Sequence, residues 1–549
     1  MKQKFKWALN FIGFVTATAI TGLTNITNNA EAAQTLVVHK GIFYESIDVA
    51  DLRKIAETGT VPSNLEGYAK RLSTEQRTAI LGALRAKVPL GVVAVSKLLN
   101  TRIGSTILAD IASVTDRPEA SAGVQALRAA MVLGANAPGG LSIVSFIENY
   151  PSQRLVIDLD RTFEVMGSLN TGFWQTQQFM SAISPQLTPQ QVSLNLPFNA
   201  AEPGSNSVQI LNTNFNDTQR NRAIPVDIYW SQGASANRPV IVFSHGMGSV
   251  RTDMKYLAEH LASHGFIVAA LEHPGSNENH VNTALAGGPL IDPQEFLNRP
   301  KDVSFVLDEL TKLNQTSGPL QGKLATDNSL IVGYSMGGST ALAVAGAEFQ
   351  FEGLRKKCLG NLVAFSFGET LQCIASGLPE NTYQLREPRI KRAIVFNPTA
   401  SLLFGETGVS KVEVPILLLA GSADKTTPAF REQIVPFSKM PDPKLLVGIV
   451  GGTHLSVKDP SKTLDQAGQP STLFTGDEVV GDQAVDIRNY TKAIVLAYAS
   501  QMTADAEKYK VFLTSEYAQS VSTPNFPIRL IDEIPPQAMP VVESFIKTP

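Results

Sequence analysis

The chain has 549 residues, of which 43% are hydrophobic and 17% charged, with a net charge of −3. That length exceeds one domain and predicts two or three, and the apolar content allows a sizeable core and excludes a disordered chain. There is no basic block and no interleaving of basic with aromatic residues, which argues against a nucleic-acid partner.

Lys2, Lys4 and Lys6 lead into the apolar run Trp7 to Leu23, and Ala30-Glu31-Ala32 offers a small-residue cleavage site before Ala33. This is the layout of a secretory signal over residues 1–32. The competing reading is a retained anchor. Thr16, Thr18, Thr21 and Thr24 dilute the run, and no later apolar segment reaches the ~18 residues of a membrane span. The expectation is cleavage and export, to the periplasm or outside the cell, with no integral span remaining.

Thr35 to Asp48 alternates like a β-ribbon, and Ser73-Thr74-Glu75-Gln76 reads as a capping box opening a helix to Lys87. Glu119 to Leu133 is a second amphipathic helix, and Leu155 to Leu159 alternates as a strand. Residues 33–168 are therefore expected to form a small, mostly helical domain, with His39 its only histidine. The polar, Gln-rich stretch 169–191 reads as a linker containing a helix.

From Val192 the pattern changes. Val192 to Pro197 and Val226 to Trp230 read as the opening strands of a meander. Pro239 to Phe243 is a continuous apolar run of the kind found in buried parallel strands. Helix Met254 to Ser263, strand Phe266 to Ala270 and helix Val303 to Leu313 follow. Further strands are predicted at Ser329 to Val332, Ala393 to Phe396, Ile416 to Ala420 and Leu445 to Val450, with a last helix at Ala484 to Ser500. Alternating strands and helices predict a mostly parallel sheet covered on both faces over residues 192–549. Sites in such sheets lie beyond the carboxyl ends of the strands.

The most informative stretch is Leu330 to Gly338, in which an apolar strand enters Gly333-Tyr334-Ser335-Met336-Gly337 and an Ala-rich helix leaves it. Strand, sharp turn and helix make a nucleophile elbow with Ser335 exposed at the turn. A serine hydroxyl needs a histidine to take its proton and a carboxylate to orient that histidine. In the order serine, acid, histidine, Asp424 follows the strand Ile416 to Ala420, and His454 is the only histidine after Ser335. The glycines of Phe243-Ser-His-Gly-Met-Gly248 would let backbone amides face the site as an oxyanion hole, with Met247 and Met336 as the donors. His245 precedes that turn and is expected to be structural, while Glu272 and His273 are expected to line or brace the pocket. Two cysteines and seven scattered histidines form no plausible metal set, and the chemistry requires no cofactor.

The segments Phe243 to Gly248 and Ala262 to Ala270, with Glu272-His273, resemble the platelet-activating-factor acetylhydrolases. That resemblance implies an α/β-hydrolase fold and cleavage of short or oxidised acyl chains from phospholipids. In that family the acid follows the strand just after the nucleophile helix, where this chain has Asn397-Pro398. The later acid, Asp424, is more similar to bacterial polyester hydrolases and dienelactone-hydrolase-like esterases. The N-terminal region resembles an uncharacterised domain that precedes such hydrolases in exported proteins, chiefly of cyanobacteria.

Residues 349–389 form an insertion containing Cys358 and Cys373, the only cysteines of the chain. In an exported protein the pair is expected to bridge, although two buried thiols would satisfy the same sequence. Its apolar residues, Phe349, Phe351, Leu354, Leu362 to Phe367 and Leu378, could cap the pocket or form a separate small core. The combined expectation is an exported serine hydrolase of carboxylic esters, with a small-molecule or lipid ester as substrate. An acyltransferase using the same triad and a non-catalytic binding protein on the same scaffold are the alternatives.

Overall fold

A computed structural model describes residues 32–40, 43–70, 74–85, 87–88, 92–99, 108, 111–112, 114–115, 120–158, 175–176, 179–180, 192–285, 290–359, 365–462 and 478–547. Two units divide the chain, one built mainly from residues up to Ser168 and the other from Leu169 onward. The expected signal segment, the start of the capping box at Ser73 and residues 360–364 of the insertion lie outside the described residues.

The first unit has a three-stranded sheet. Thr35–Lys40 lies between Phe43–Asp48, antiparallel, and Arg154–Asp158, parallel. Helices Val49–Thr58, Thr74–Arg85, Val92–Leu99, Ala120–Ala135 and Ile143–Glu148 accompany it. One apolar cluster, including Leu36, Leu52, Leu127, Ile147 and Leu155, joins sheet and helices. Ser142 caps the last of these helices by a reciprocal exchange with Ser145, which satisfies two amides that a helix start leaves orphaned. His39 stacks on Tyr44 with ring centroids 4.9 Å apart.

In the second unit nine strands form one sheet among the described residues. They are β1 (Val208–Asp217), β2 (Arg222–Ser231), β3 (Pro239–Ser244), β4 (Ile267–Leu271), β5 (Ala325–Tyr334), β6 (Ile390–Phe396), β7 (Ile416–Gly421), β8 (Lys444–Ile449) and β9 (Ile528–Ile531). Their spatial order is β9-β8-β7-β6-β5-β3-β4-β2-β1. From β8 through β4 every pairing is parallel, and the outer strands pair antiparallel. All six residues of β3 are buried, as are all five of β4 and all six of β7. Strands covered on both faces lose the polar alternation of a one-sided sheet.

The principal helices are α1 (Lys255–Ser263), α2 (Glu295–Gln315), α3 (Met336–Val344) and, after an insertion, a helix over Val485–Ser500. Leu257, Ala258, Leu261 and Ala262 of α1 are fully buried and share one core cluster with Ile241, Val268, Phe396 and Ile494. A Phe to Ala change at such a position costs about 3–5 kcal/mol.

Three expectations need correction. Val192 to Pro197 forms no strand; its alternation places Leu194 and Leu196 against the core, but the sheet edge is taken by β1. Alternation reports one-sided burial, whereas a strand also needs a hydrogen-bonded neighbour. The helix Val485–Ser500 is not the last element, because antiparallel β9 and the helix Met539–Lys547 follow. Finally, α2 begins at Glu295 and runs through Pro300, eight residues before the predicted start at Val303. Of the expected linker, Thr176 accepts a hydrogen bond from the Phe430 amide at 3.0 Å, and Phe179 packs against the Phe430 ring.

The insertion carries helices Phe351–Lys357 and Phe367–Cys373, joined by a Cys358–Cys373 disulfide. Its aromatic residues pack together and onto the segment after β6: Phe349 meets Phe351 and Phe404, and Phe351 meets Tyr383. The bridge spans 15 residues, a loop whose closure contributes about 3 kcal/mol in the chain-entropy account. Replacing both cysteines by serine is expected to lower the thermal midpoint, and native protein should release no alkylatable thiol. Free thiols in oxidised native protein would contradict the bridge.

Candidate active site

Ser335 joins β5 to α3 with φ 55° and ψ −120°, a backbone region that costs a non-glycine residue about 1–3 kcal/mol. Its surroundings hold it there. The Ser335 amide donates to the Phe396 carbonyl at 2.9 Å. A β-carbon on Gly337 would lie 2.0 Å from the Ser244 carbonyl oxygen, and one on Gly333 would lie 2.1 Å from the Gly337 carbonyl oxygen. Only glycine permits those crossings.

His454 follows β8, and its Nε2 lies 3.1 Å from Ser335 Oγ. Its Nδ1 lies 2.7 Å from Asp424 Oδ2. This geometry lets Nδ1–H donate to the carboxylate while Nε2 accepts from the serine hydroxyl. Asp424 is wholly buried, whereas Ser335 and His454 keep 7% and 6% of their surface exposed, so the line is open only at its serine end. Amides of Thr426 and Thr427 donate to Asp424 Oδ1 at 2.8 and 2.7 Å, and the Thr427 hydroxyl donates to Oδ2 at 2.8 Å. Sequence reasoning missed Thr427; a threonine in a turn carries no distinguishing signal.

Asn397, at the end of β6, directs its Nδ2 to the carbonyls of Thr453 and His454 at 3.4 and 3.3 Å and accepts from the Gly421 amide at 3.1 Å. The Tyr334 hydroxyl donates to the same His454 carbonyl at 3.1 Å. The histidine loop is thus held from below by two residues at adjacent strand ends. Lys458 of that loop pairs with Asp253, beyond the β3 turn, at 2.7 Å. From the insertion, the Gly368 amide donates to the Thr426 carbonyl at 2.8 Å, which docks the bridged helices on the acid loop.

Met336 is the first residue of α3, where a helix leaves its N–H groups without intrahelical partners. Met247 lies in the turn after β3, and the neighbouring Gly248 amide is committed to the Ser276 carbonyl at 2.8 Å. Both amides expected in an oxyanion hole therefore sit on the turns that flank Ser335. His245 is not a base: its Nδ1 is 2.6 Å from the Gly246 carbonyl and its Nε2 accepts from the His273 amide at 2.9 Å. Burial holds His245 and His273 well below the usual histidine range, so both are neutral.

Beneath the β3 turn lies a second serine–histidine–aspartate line that sequence reading did not find. Ser244 Oγ is 2.9 Å from His273 Nε2, and His273 Nδ1 is 2.9 Å from Asp302 Oδ2. These residues are 2%, 0% and 0% exposed, so no substrate meets them. Asp302 is paired with Arg220 and Arg222, each at 2.7 Å, and Glu295 with Arg222 at 3.0 Å. His273, Glu295 and Asp302 are close enough to ligate one metal ion, but their carboxylate charge is already met by guanidinium groups. His273 thus braces the site, as expected, while Glu272 pairs with Arg251 at 2.7 Å.

Comparison with known proteins agrees with this architecture. A family model described as an alpha/beta hydrolase of unknown function matches residues 32–158, and one described as platelet-activating factor acetylhydrolase, isoform II, matches residues 205–282. Among curated proteins, a platelet-activating factor acetylhydrolase of Canis lupus familiaris is 27% identical over 146 residues, covering 21% of this chain and 33% of the relative. One from Bos taurus is 60% identical over 35 residues, 6% of this chain and 8% of the relative. The chain therefore spans a third or less of the length of these relatives. Sheet order, the turn at Ser335 and these matches together give the chain an α/β-hydrolase fold, with a resemblance to the platelet-activating-factor acetylhydrolases.

Proposed function

We propose that this hydrolase is an exported serine esterase in which Ser335 is the nucleophile, His454 the general base and acid, and Asp424 the carboxylate that orients the imidazole. The observation that carries this reading is the continuous line from Asp424 through His454 to Ser335, with the serine in a strained turn at the head of α3. Ser335 Oγ attacks the ester carbonyl as its proton passes to His454 Nε2. The carbonyl oxygen gains charge, and the Met247 and Met336 amides receive it. When the carbon–oxygen bond to the alcohol breaks, the same Nε2 returns the proton to the leaving oxygen. Water then repeats the sequence on the acyl-enzyme and frees the acid.

Lipid or short- to medium-chain acyl esters are the proposed substrates. Support comes from the relatives' printed names and from the apolar insertion docked on the acid loop. Export is supported by the pattern of residues 1–32.

Ser335→Ala is expected to fold normally and to lose at least about 10⁴-fold in kcat, and a fluorophosphonate probe should label wild type and miss the variant. Asp424→Asn should lower kcat roughly a thousandfold or more by disfavouring the productive imidazole tautomer. Labelling that survives Ser335→Ala would refute the nucleophile, and near-normal turnover of Asp424→Asn would refute the acid.

Each methylene buried against an apolar wall is worth roughly 0.8 kcal/mol, or about fourfold in transition-state binding. On p-nitrophenyl esters kcat/KM should rise from acetate to a maximum between butyrate and octanoate and then fall. A steady rise through palmitate, with a jump above the micelle threshold, would instead indicate an interfacial lipase.

A further inference from the structure

Arg299 is fully buried on α2, and no carboxylate among the described residues pairs with its guanidinium. Its hydrogen bonds run to neutral oxygens around the nucleophile. Nη2 donates to the His245 carbonyl and, at 3.3 Å, to Ser244 Oγ. Nη1 donates to Ser276 Oγ at 2.7 Å, and Nε donates to Thr340 Oγ1 at 3.2 Å. Thr340 in turn donates to the Met336 carbonyl at 3.1 Å. Ser276 also supplies the carbonyl that holds the Gly248 amide.

The contacts fall into two groups. His245, Ser244 and Ser276 fix the turn that contains Met247. Thr340 and the Met336 carbonyl fix the first turn of α3, which contains the Met336 amide. One planar group therefore reaches both arms of the oxyanion hole from behind. Burying a guanidinium without a contacting carboxylate is costly, and burial pulls Arg299 down to about 10, which still leaves it charged at neutral pH. Glu295 and Asp302 are the nearby anions, and they are already engaged by Arg222.

We propose that Arg299 is a positioning residue that sets the spacing and direction of the Met247 and Met336 amides, so that they converge on the oxyanion of the transition state. The proposal rests on the esterase reading. Displacement of such donors by about 1 Å costs on the order of 10²-fold in rate, and loss of one donor about 10²–10³-fold. Both losses fall on kcat, because the ground-state carbonyl makes weaker use of the amides.

The test uses the full mature protein with p-nitrophenyl butyrate. Arg299→Lys keeps the charge and loses the fork that spans the two arms. It should lower kcat about 10- to 100-fold, leave KM within about threefold, and weaken a trifluoromethyl ketone mimic of the tetrahedral state in parallel with kcat/KM. Affinity for an unreactive amide analogue and the midpoint of the pH–rate limb should not move. Thr340→Val removes the Arg299–Thr340 and Thr340–Met336 bonds while keeping those of Arg299 to His245, Ser244 and Ser276, and should lower kcat about tenfold in the same manner.

A folded Arg299→Lys protein with kcat within twofold of wild type would overturn the proposal, as would equal losses for the ketone and the amide. If Arg299→Lys does not fold, Thr340→Val decides, and kcat within twofold overturns it. A wild-type protein that neither hydrolyses esters nor takes a fluorophosphonate label would overturn the esterase reading instead.

Discussion

The site depends on one steric constraint, the crossing of three chain segments at Ser335. The Gly337 backbone passes so close to the Ser244 carbonyl that no β-carbon fits, and Gly333 meets the Gly337 carbonyl in the same way. These approaches, with the Ser335 amide bonded to the Phe396 carbonyl, hold the serine in a backbone conformation it would not adopt alone. The turn after β3, the start of α3 and the end of β6 are brought together by the same crossing. Strain at one residue is supported by the surrounding parallel strands, whose side chains are almost all buried.

A polar layer then adjusts what the crossing brings together. On one side Asn397 and Tyr334 hold the His454 carbonyl while Thr427 holds Asp424. On the other, Arg299 and the His273–Asp302 pair hold the turn after β3 through His245 and Ser244. The two serine–histidine–aspartate lines have almost the same internal distances, but Ser335 and His454 keep 7% and 6% of their surface exposed where Ser244 and His273 keep 2% and none.

Much of this was legible in the sequence. The elbow is readable because its glycines are required at fixed positions, and the strands β3, β4 and β7 because their apolar runs are unbroken. Asp424 and His454 could be chosen by chain order, and the structure brings both to Ser335. The network below was not legible. Pro300 interrupts helical periodicity, so the sequence predicts a helix only from Val303 and places Arg299 and Asp302 outside any element. Their partners Arg220, Arg222 and Ser276 come from separate loops and strands, and only tertiary structure unites them. Val192 to Pro197 failed for the converse reason: its alternation is real, but no neighbouring strand is available to pair with it.

The central claim, that Ser335 becomes acylated, is most directly tested by trapping the intermediate. Wild-type protein is mixed with p-nitrophenyl butyrate, quenched in acid within the first turnovers and weighed intact, then digested and sequenced by mass spectrometry. The account predicts a burst of nitrophenolate approaching one equivalent and a single butyryl group on the peptide containing Ser335. Turnover without a covalent adduct, or an adduct on any other residue, would contradict it.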